Sequence, residues 1–118
     1  MPKTILYGIP NCGTVKKARA WLEARGVEYE FHDFKKHGVS MALLGGWMKQ
    51  AGWQRLLKKT GPTWGQLPDA VKNSIKDNAS ALQLMLEKPN VIKRPVLEQN
   101  GKLLATGFDE RDYENLKL

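Results

Sequence analysis

A chain of 118 residues, 42% hydrophobic and 26% charged, has the balance of one soluble globular domain with a core large enough to need no covalent staples. No apolar run approaches bilayer length, the start Met-Pro-Lys-Thr-Ile is too quickly polar for a secretory leader, and a single cysteine excludes an internal disulfide, so the cytoplasm is the expected setting. The net charge of +7 admits a nucleic-acid binder, yet Lys16, Lys17, Lys35, Lys36, Lys58, Lys59, Lys72, Lys76 and Lys93 are scattered and the stretch Asp109–Glu114 is acidic. Without a recognised nucleic-acid motif the charge reads as a solvated surface favouring small anions, with no direct nucleic-acid binding and no membrane partner.

Thr4 to Ile9 reads as a buried strand. Val15, Ala18, Trp21 and Leu22 then recur on one helical face, and Gly26 suits the helix stop. Val27 to His32 alternates as a half-buried strand, which makes a βαβ unit with parallel strands and a right-handed crossover. Residues 33–39 read as a loop. From Ser40, a suitable cap, helical signals run on: a helix to Lys49 weakened by Gly45-Gly46, a short one over Trp53–Lys58, a break at Gly61-Pro62, one from Pro68 to about Lys76, and one over Ala79–Lys88 capped by Asp77 or Asn78. Trp47, Trp53 and Trp64 with Leu43, Leu56, Leu57 and Leu67 are the expected core of this block.

Pro95–Gln99 and Lys102–Thr106 flank Asn100-Gly101, the strongest short-range hairpin signal, and Asp109 caps a last helix expected to reach Leu118. The order β-α-β, helices, β-β-α is a thioredoxin-like α/β topology with a mixed sheet and an all-helical insertion between strands 2 and 3. The reading is a single domain over 1–118, its sheet core at 1–34 and 91–118 and its insertion at about 39–89, because no linker bounds the helices.

Cys12 stands where the first strand hands over to the first helix. Two readings are open: a small buried hydrophobe at the junction, or a reactive thiol among the unpaired N–H groups at the positive end of the helix dipole. Pro10, Gly13 and Thr14 favour the second, because turn residues keep the thiol in a surface loop and leave N–H groups for an anion; Lys16 and Lys17 add charge. Position 15, where a dithiol oxidoreductase holds its resolving cysteine, is Val15. Cys12 can therefore act only as a monothiol whose mixed disulfide is resolved by an outside thiol, glutathione being the abundant one in a cytoplasm.

The segment Leu6-Tyr-Gly-Ile-Pro-Asn-Cys-Gly-Thr-Val-Lys-Lys-Ala-Arg-Ala-Trp21, with Ile92-Lys-Arg-Pro-Val96 and Gly107-Phe108, resembles the arsenate reductase-like family that includes the Spx regulators, closest to its small YffB-type members. The resemblance spans the whole chain. It implies a cis peptide before Pro95, a loop there that faces the thiol and pairs with a thiol substrate by strand addition, and Arg94 as the residue that holds an oxyanion. Asn11, Gly13, Thr14, Lys16, Lys58 and Pro95 complete the expected ligand contacts around the catalytic pair Cys12 and Arg94. Three departures weigh against arsenate reduction itself: Gly8 stands where the glutaredoxin-using enzymes have histidine, Lys58 where they have arginine, and Thr106-Gly107 supplies no third arginine.

His32 and His37 match no metal spacing, and a single cysteine cannot complete a zinc site, so no metal is expected. His32 is read as a surface histidine, or one supporting the site from behind, on the face opposite Tyr29 and Phe31. The leading expectation is a glutathione-dependent thiol reductase with no permanently bound cofactor. The alternatives are an Spx-like regulator binding an RNA polymerase subunit, and an arsenate reductase.

Overall fold

Five residues without charge, Thr4–Gly8, form β1, one of two inner strands in a sheet of order β2-β1-β3-β4. The computed structural model describes residues 3–116 and 118. β1 pairs in parallel with β2 (Glu30–Asp33) and antiparallel with β3 (Val96–Gln99), which pairs antiparallel with β4 (Lys102–Thr106). The register sets Leu6 beside Phe31 and Leu97, and Tyr7 beside His32 and Val96. Because strand side chains alternate, these two rows lie on opposite faces.

α1 (Gly13–Ala24) follows β1 and buries Val15, Ala18, Trp21 and Leu22, the four residues its periodicity marks. Gly26, at φ +68°, and a bond from Val27 N–H to Leu22 O close it. That closure takes up the start of the expected second strand, so β2 begins only at Glu30. Val27, Tyr29 and Phe31 nevertheless all pack against the core, as their alternation requires. The expected loop at 33–39 contains a one-turn helix, α2 (Phe34–His37): Asp33 caps it by accepting from Lys35 N–H at 2.9 Å, and Gly38 ends it at φ +70°. On the Tyr7 face the His32 ring lies 4.9 Å from the Tyr7 ring and 5.5 Å from that of His37, and its Nε2 is 3.0 Å from Gly38 O. Tyr7 Oη donates to the buried carboxylate of Glu98; burial first, then that negative charge, pushes the phenol up.

The chain divides into two compact units: the sheet unit, which runs to Gly38 and resumes at Arg94, and a helical unit over Val39–Lys93. The helical unit contains α3 (Met41–Ala51), α4 (Trp53–Leu56), α5 (Pro62–Gly65), α6 (Asp69–Ser74) and α7 (Asn78–Glu87). Ser40 Oγ accepts from Leu43 N–H at 3.1 Å, and Asp77 forms a reciprocal capping box with Ser80, as helix-start chemistry directs. Gly61-Pro62 opens α5 rather than breaking the chain, since proline suits a first helical position.

An antiparallel bridge joins Leu57 to Ile92, flanked by Lys58 N–H to Val91 O and Lys93 N–H to Leu56 O, both at 2.7 Å. Of the expected core residues Trp47, Leu56, Leu57 and Leu67 are buried, whereas Leu43, Trp53 and Trp64 are half-buried. The Lys59 ammonium stands 6.0 and 5.5 Å from the ring centroids of Trp53 and Trp64, a place for indoles with one wet face. The basic charge is less scattered than it reads along the sequence: residues 39–93 hold eight lysines and arginines against three carboxylates, five of the molecule's seven surplus charges.

Asn100 and Gly101, at φ 53° and 81°, make the hairpin turn, and β4 carries one extra residue opposite the Leu97/Glu98 step. Asp109 caps α8 (Glu110–Asn115) by accepting from Asp112 N–H at 3.1 Å. This helix stops short of the expected Leu118; Lys117, within the expected span, lies outside the described residues. The core of the sheet unit gathers Leu6, Ala18, Trp21, Leu22, Leu97, Ala105 and Tyr113. Tyr113 meets Trp21 and Phe108 edge-on at 5.4 and 4.7 Å, pairings worth about 0.5–1.5 kcal/mol each beyond their buried area.

Candidate active site

Cys12 is the N-cap of α1, with extended backbone (φ −86°, ψ 126°). Its N–H donates to Ile9 O at 3.3 Å and its carbonyl accepts from Lys16 N–H at 3.0 Å, so the residue is held from both sides of the turn. An N-cap side chain faces the second and third N–H groups of the helix, which here belong to Thr14 and Val15. The sulfur stands at this cap position without closing a side-chain cap hydrogen bond of the kind serine or aspartate makes. Cys12 is half-buried, while Asn11, Gly13 and Thr14 beside it are exposed.

Burial pushes the Cys12 thiol up, but the N–H groups of Val15 and Thr14 and the Arg94 guanidinium, as hydrogen-bond donor and as charge, together hold it below its ordinary value. The charge at the sulfur is that of Arg94, distant in sequence. Lys16 and Lys17, read as the nearby cations, are exposed on α1 and are not what lowers the thiol.

Arg94 is joined to Pro95 by a cis peptide, the isomer the resemblance implies. The Pro95 carbonyl accepts from Gly107 N–H at 2.8 Å, which ties the loop before β3 to the end of β4. Thr14 also lines an open groove along α1 with Lys17, Trp21, Arg25, Phe108 and Asp109.

Cys12, Arg94, Pro95, Asn11, Gly13, Thr14 and Lys16 all belong to the sheet unit, and Lys58 belongs to the helical unit. Lys58 curls over Gly61, where an added Cβ would meet its Cε at 3.3 Å, and lines a cavity with Lys59, Lys93, Gln54 and Thr60.

The departures from the arsenate reductase pattern have physical causes. A Cβ at Gly8 would come within 2.7 Å of Val15 Cγ2, so a histidine at position 8 would force Val15 and the turn that carries it to shift. Gly107 has φ +75° and its N–H is engaged by Pro95, so an arginine there would be strained. The contact between Gly8 and Val15 is the site feature that sequence reading missed. The two residues stand on either side of the Cys12 turn, and no periodicity links them.

Residues 7–116 match the ArsC family. The chain is 42% identical over 109 residues to an uncharacterized protein of Haemophilus influenzae, covering 92% of this chain and 94% of that one. The structure of the YffB protein superposes with a TM-score of 0.88 at 43% identity, covering 96% and 97% of the two chains. The solution structure of an ArsC-related protein from Brucella melitensis gives 0.78 at 46% identity, covering 98% and 96%. At 22% identity over 108 residues the chain is also similar to the global transcriptional regulator Spx of Lactiplantibacillus plantarum, covering 90% and 80%. With its thioredoxin-like sheet and a thiol at the first helix cap, the chain belongs to the ArsC family.

Proposed function

We propose that the protein is a glutathione-dependent thiol reductase of a reducing, cytoplasmic compartment. The observation that carries this is the Cys12 sulfur at the cap of α1, lowered in pKa by two N–H groups and Arg94, in a chain with no second cysteine. The Cys12 thiolate attacks one sulfur of an oxidised substrate's disulfide, forming a mixed disulfide and releasing the other sulfur as a thiolate that takes up a proton. A glutathione thiolate then attacks the substrate sulfur of the adduct and displaces Cys12 as thiolate. A second glutathione attacks the resulting substrate–glutathione disulfide and releases the substrate thiol, so two glutathiones supply the two electrons and leave as glutathione disulfide. Arg94 stabilises the charged sulfur in both steps at Cys12. Asn11, Gly13, Thr14 and Pro95 border the thiol for the incoming substrate, and Lys16 is a cation available to its carboxylates.

The test is the reaction of the protein with glutathione disulfide, followed by mass spectrometry, together with the pH profile of Cys12 alkylation. A single glutathione adduct, absent in Cys12→Ser, and a thiol pKa below about 8.5 are expected. An ordinary pKa with no adduct overturns the reading. Arsenate reduction is not favoured, because the histidine it would need at position 8 would displace Val15 and its turn, and the backbone at Gly107 strains an arginine.

A second reading, a regulatory protein that binds an RNA polymerase subunit, is favoured by the charge surplus of the helical unit and the likeness to Spx regulators. Salt-sensitive retention of that subunit is its test.

A further inference from the structure

Gly8 ends β1, Val15 lies in the first turn of α1, and Cys12 sits in the connection between them. The Val15 side chain is fully buried, and its Cγ2 would stand 2.7 Å, and its Cγ1 3.4 Å, from a Cβ placed on Gly8. The isopropyl group therefore rests directly on the backbone of β1. Valine is stiff at χ1, so it cannot swing aside without moving the helix that carries it. That same first turn presents the Thr14 and Val15 N–H groups to the cap position.

We propose that Val15, seated on Gly8, is the positioning residue of Cys12: the contact fixes the height of the first turn of α1 on β1, and so the distance from its N–H groups to the sulfur. Gly8 has a defined role in this arrangement, because only a residue without a Cβ lets the turn come this close. Val15 does more than fill the place of a resolving cysteine. The inference rests on the reading of Cys12 as a thiolate nucleophile, and extends it to what holds the thiolate's donors in place.

The experiment compares wild type with Gly8→Ala, Val15→Ala and the double variant, measuring the pH dependence of Cys12 alkylation by iodoacetamide alongside the melting temperature. Gly8→Ala lifts the turn and Val15→Ala loosens it. Each is expected to raise the thiol pKa and slow alkylation near pH 6 by about five-fold, the effect of a shift of about 0.7 unit. In the double variant the methyl group added at position 8 occupies space vacated by Val15. That protein is expected to return toward the wild-type profile even where its melting temperature stays low. A stability effect alone would not move and then restore a pH profile. A folded Gly8→Ala protein with the wild-type profile overturns the proposal. Should Gly8→Ala not fold, identical profiles in wild type, Val15→Ala and the double variant overturn it equally. A wild-type thiol of ordinary pKa would remove the thiolate reading and this one together, whereas a lowered wild-type value that the variants leave unchanged removes this one alone.

Discussion

Arg94 brings a full charge and a hydrogen bond to a sulfur that already faces two N–H groups. Removing the cation shifts the balance from thiolate toward thiol, so the pKa must rise and the reactivity profile must move to higher pH. Arg94→Ala is expected to slow alkylation near pH 6 several-fold while leaving the rate above pH 10 unchanged, with Arg94→Lys in between because it keeps the charge and loses the planar fork. An unmoved profile in Arg94→Ala would show that the helix cap alone sets the thiol. Cys12 itself was legible in the sequence, since a strand, a turn of Pro10 and Gly13, and an amphipathic helix locate it at a helix start. Arg94 was legible only through the family resemblance, as an arginine before a proline has no local signature. The charge attributed to Lys16 shows why: neighbours along a helix point away from its cap, and the effective cation arrives from the loop before β3.

Among the elements, the starts and turns with their own side-chain chemistry were the most readable. Ser40, Asp77 and Asp109 cap the helices expected of them, and Asn100-Gly101 turns the hairpin. Gly101 sits at φ 81°, where an alanine meets the left-handed penalty, so Gly101→Ala is expected to cost about 1 kcal/mol. A urea midpoint lowered with an unchanged slope is the signature, and an unchanged midpoint would mean that the turn relaxes freely. The second strand was read too long because alternation reports which side chains face the core, not whether a neighbouring strand is there to pair with. Val27 and Tyr29 pack inward ahead of Glu30, where the pairing with β1 begins. The one-turn helices α2 and α5 are too short for any periodicity, and only the Asp33 cap and the placement of Pro62 announce them.

Across the whole molecule, charge and chemistry fall in different units. The thiol and Arg94 belong to the sheet unit, which has eleven cations against nine carboxylates, while the helical unit carries eight against three. A linear scan for runs of like charge cannot see this, because the surplus builds from single lysines on separate short helices. A partner held by that surplus must be released by salt. The immobilised protein is expected to retain a polymerase subunit at low ionic strength and lose it by about 0.5 M salt, and charge reversal at Lys59 and Lys93 should weaken retention while sparing Cys12 reactivity. No retention of the subunit at low salt would end the regulatory reading.

The close seat of Val15 on Gly8 also constrains the order in which this lineage can change. A cysteine at position 15 is smaller than valine and lacks the second γ-branch, so a dithiol motif is one sterically permitted step away. A side chain at position 8 has no such freedom, because even a methyl group meets Val15 at 2.7 Å. Unless position 15 shrinks first, growth at position 8 displaces the first turn of α1. Histidine at 8 and valine at 15 therefore coexist only with the first turn of α1 displaced from its seat, at the cost of the donor geometry around Cys12.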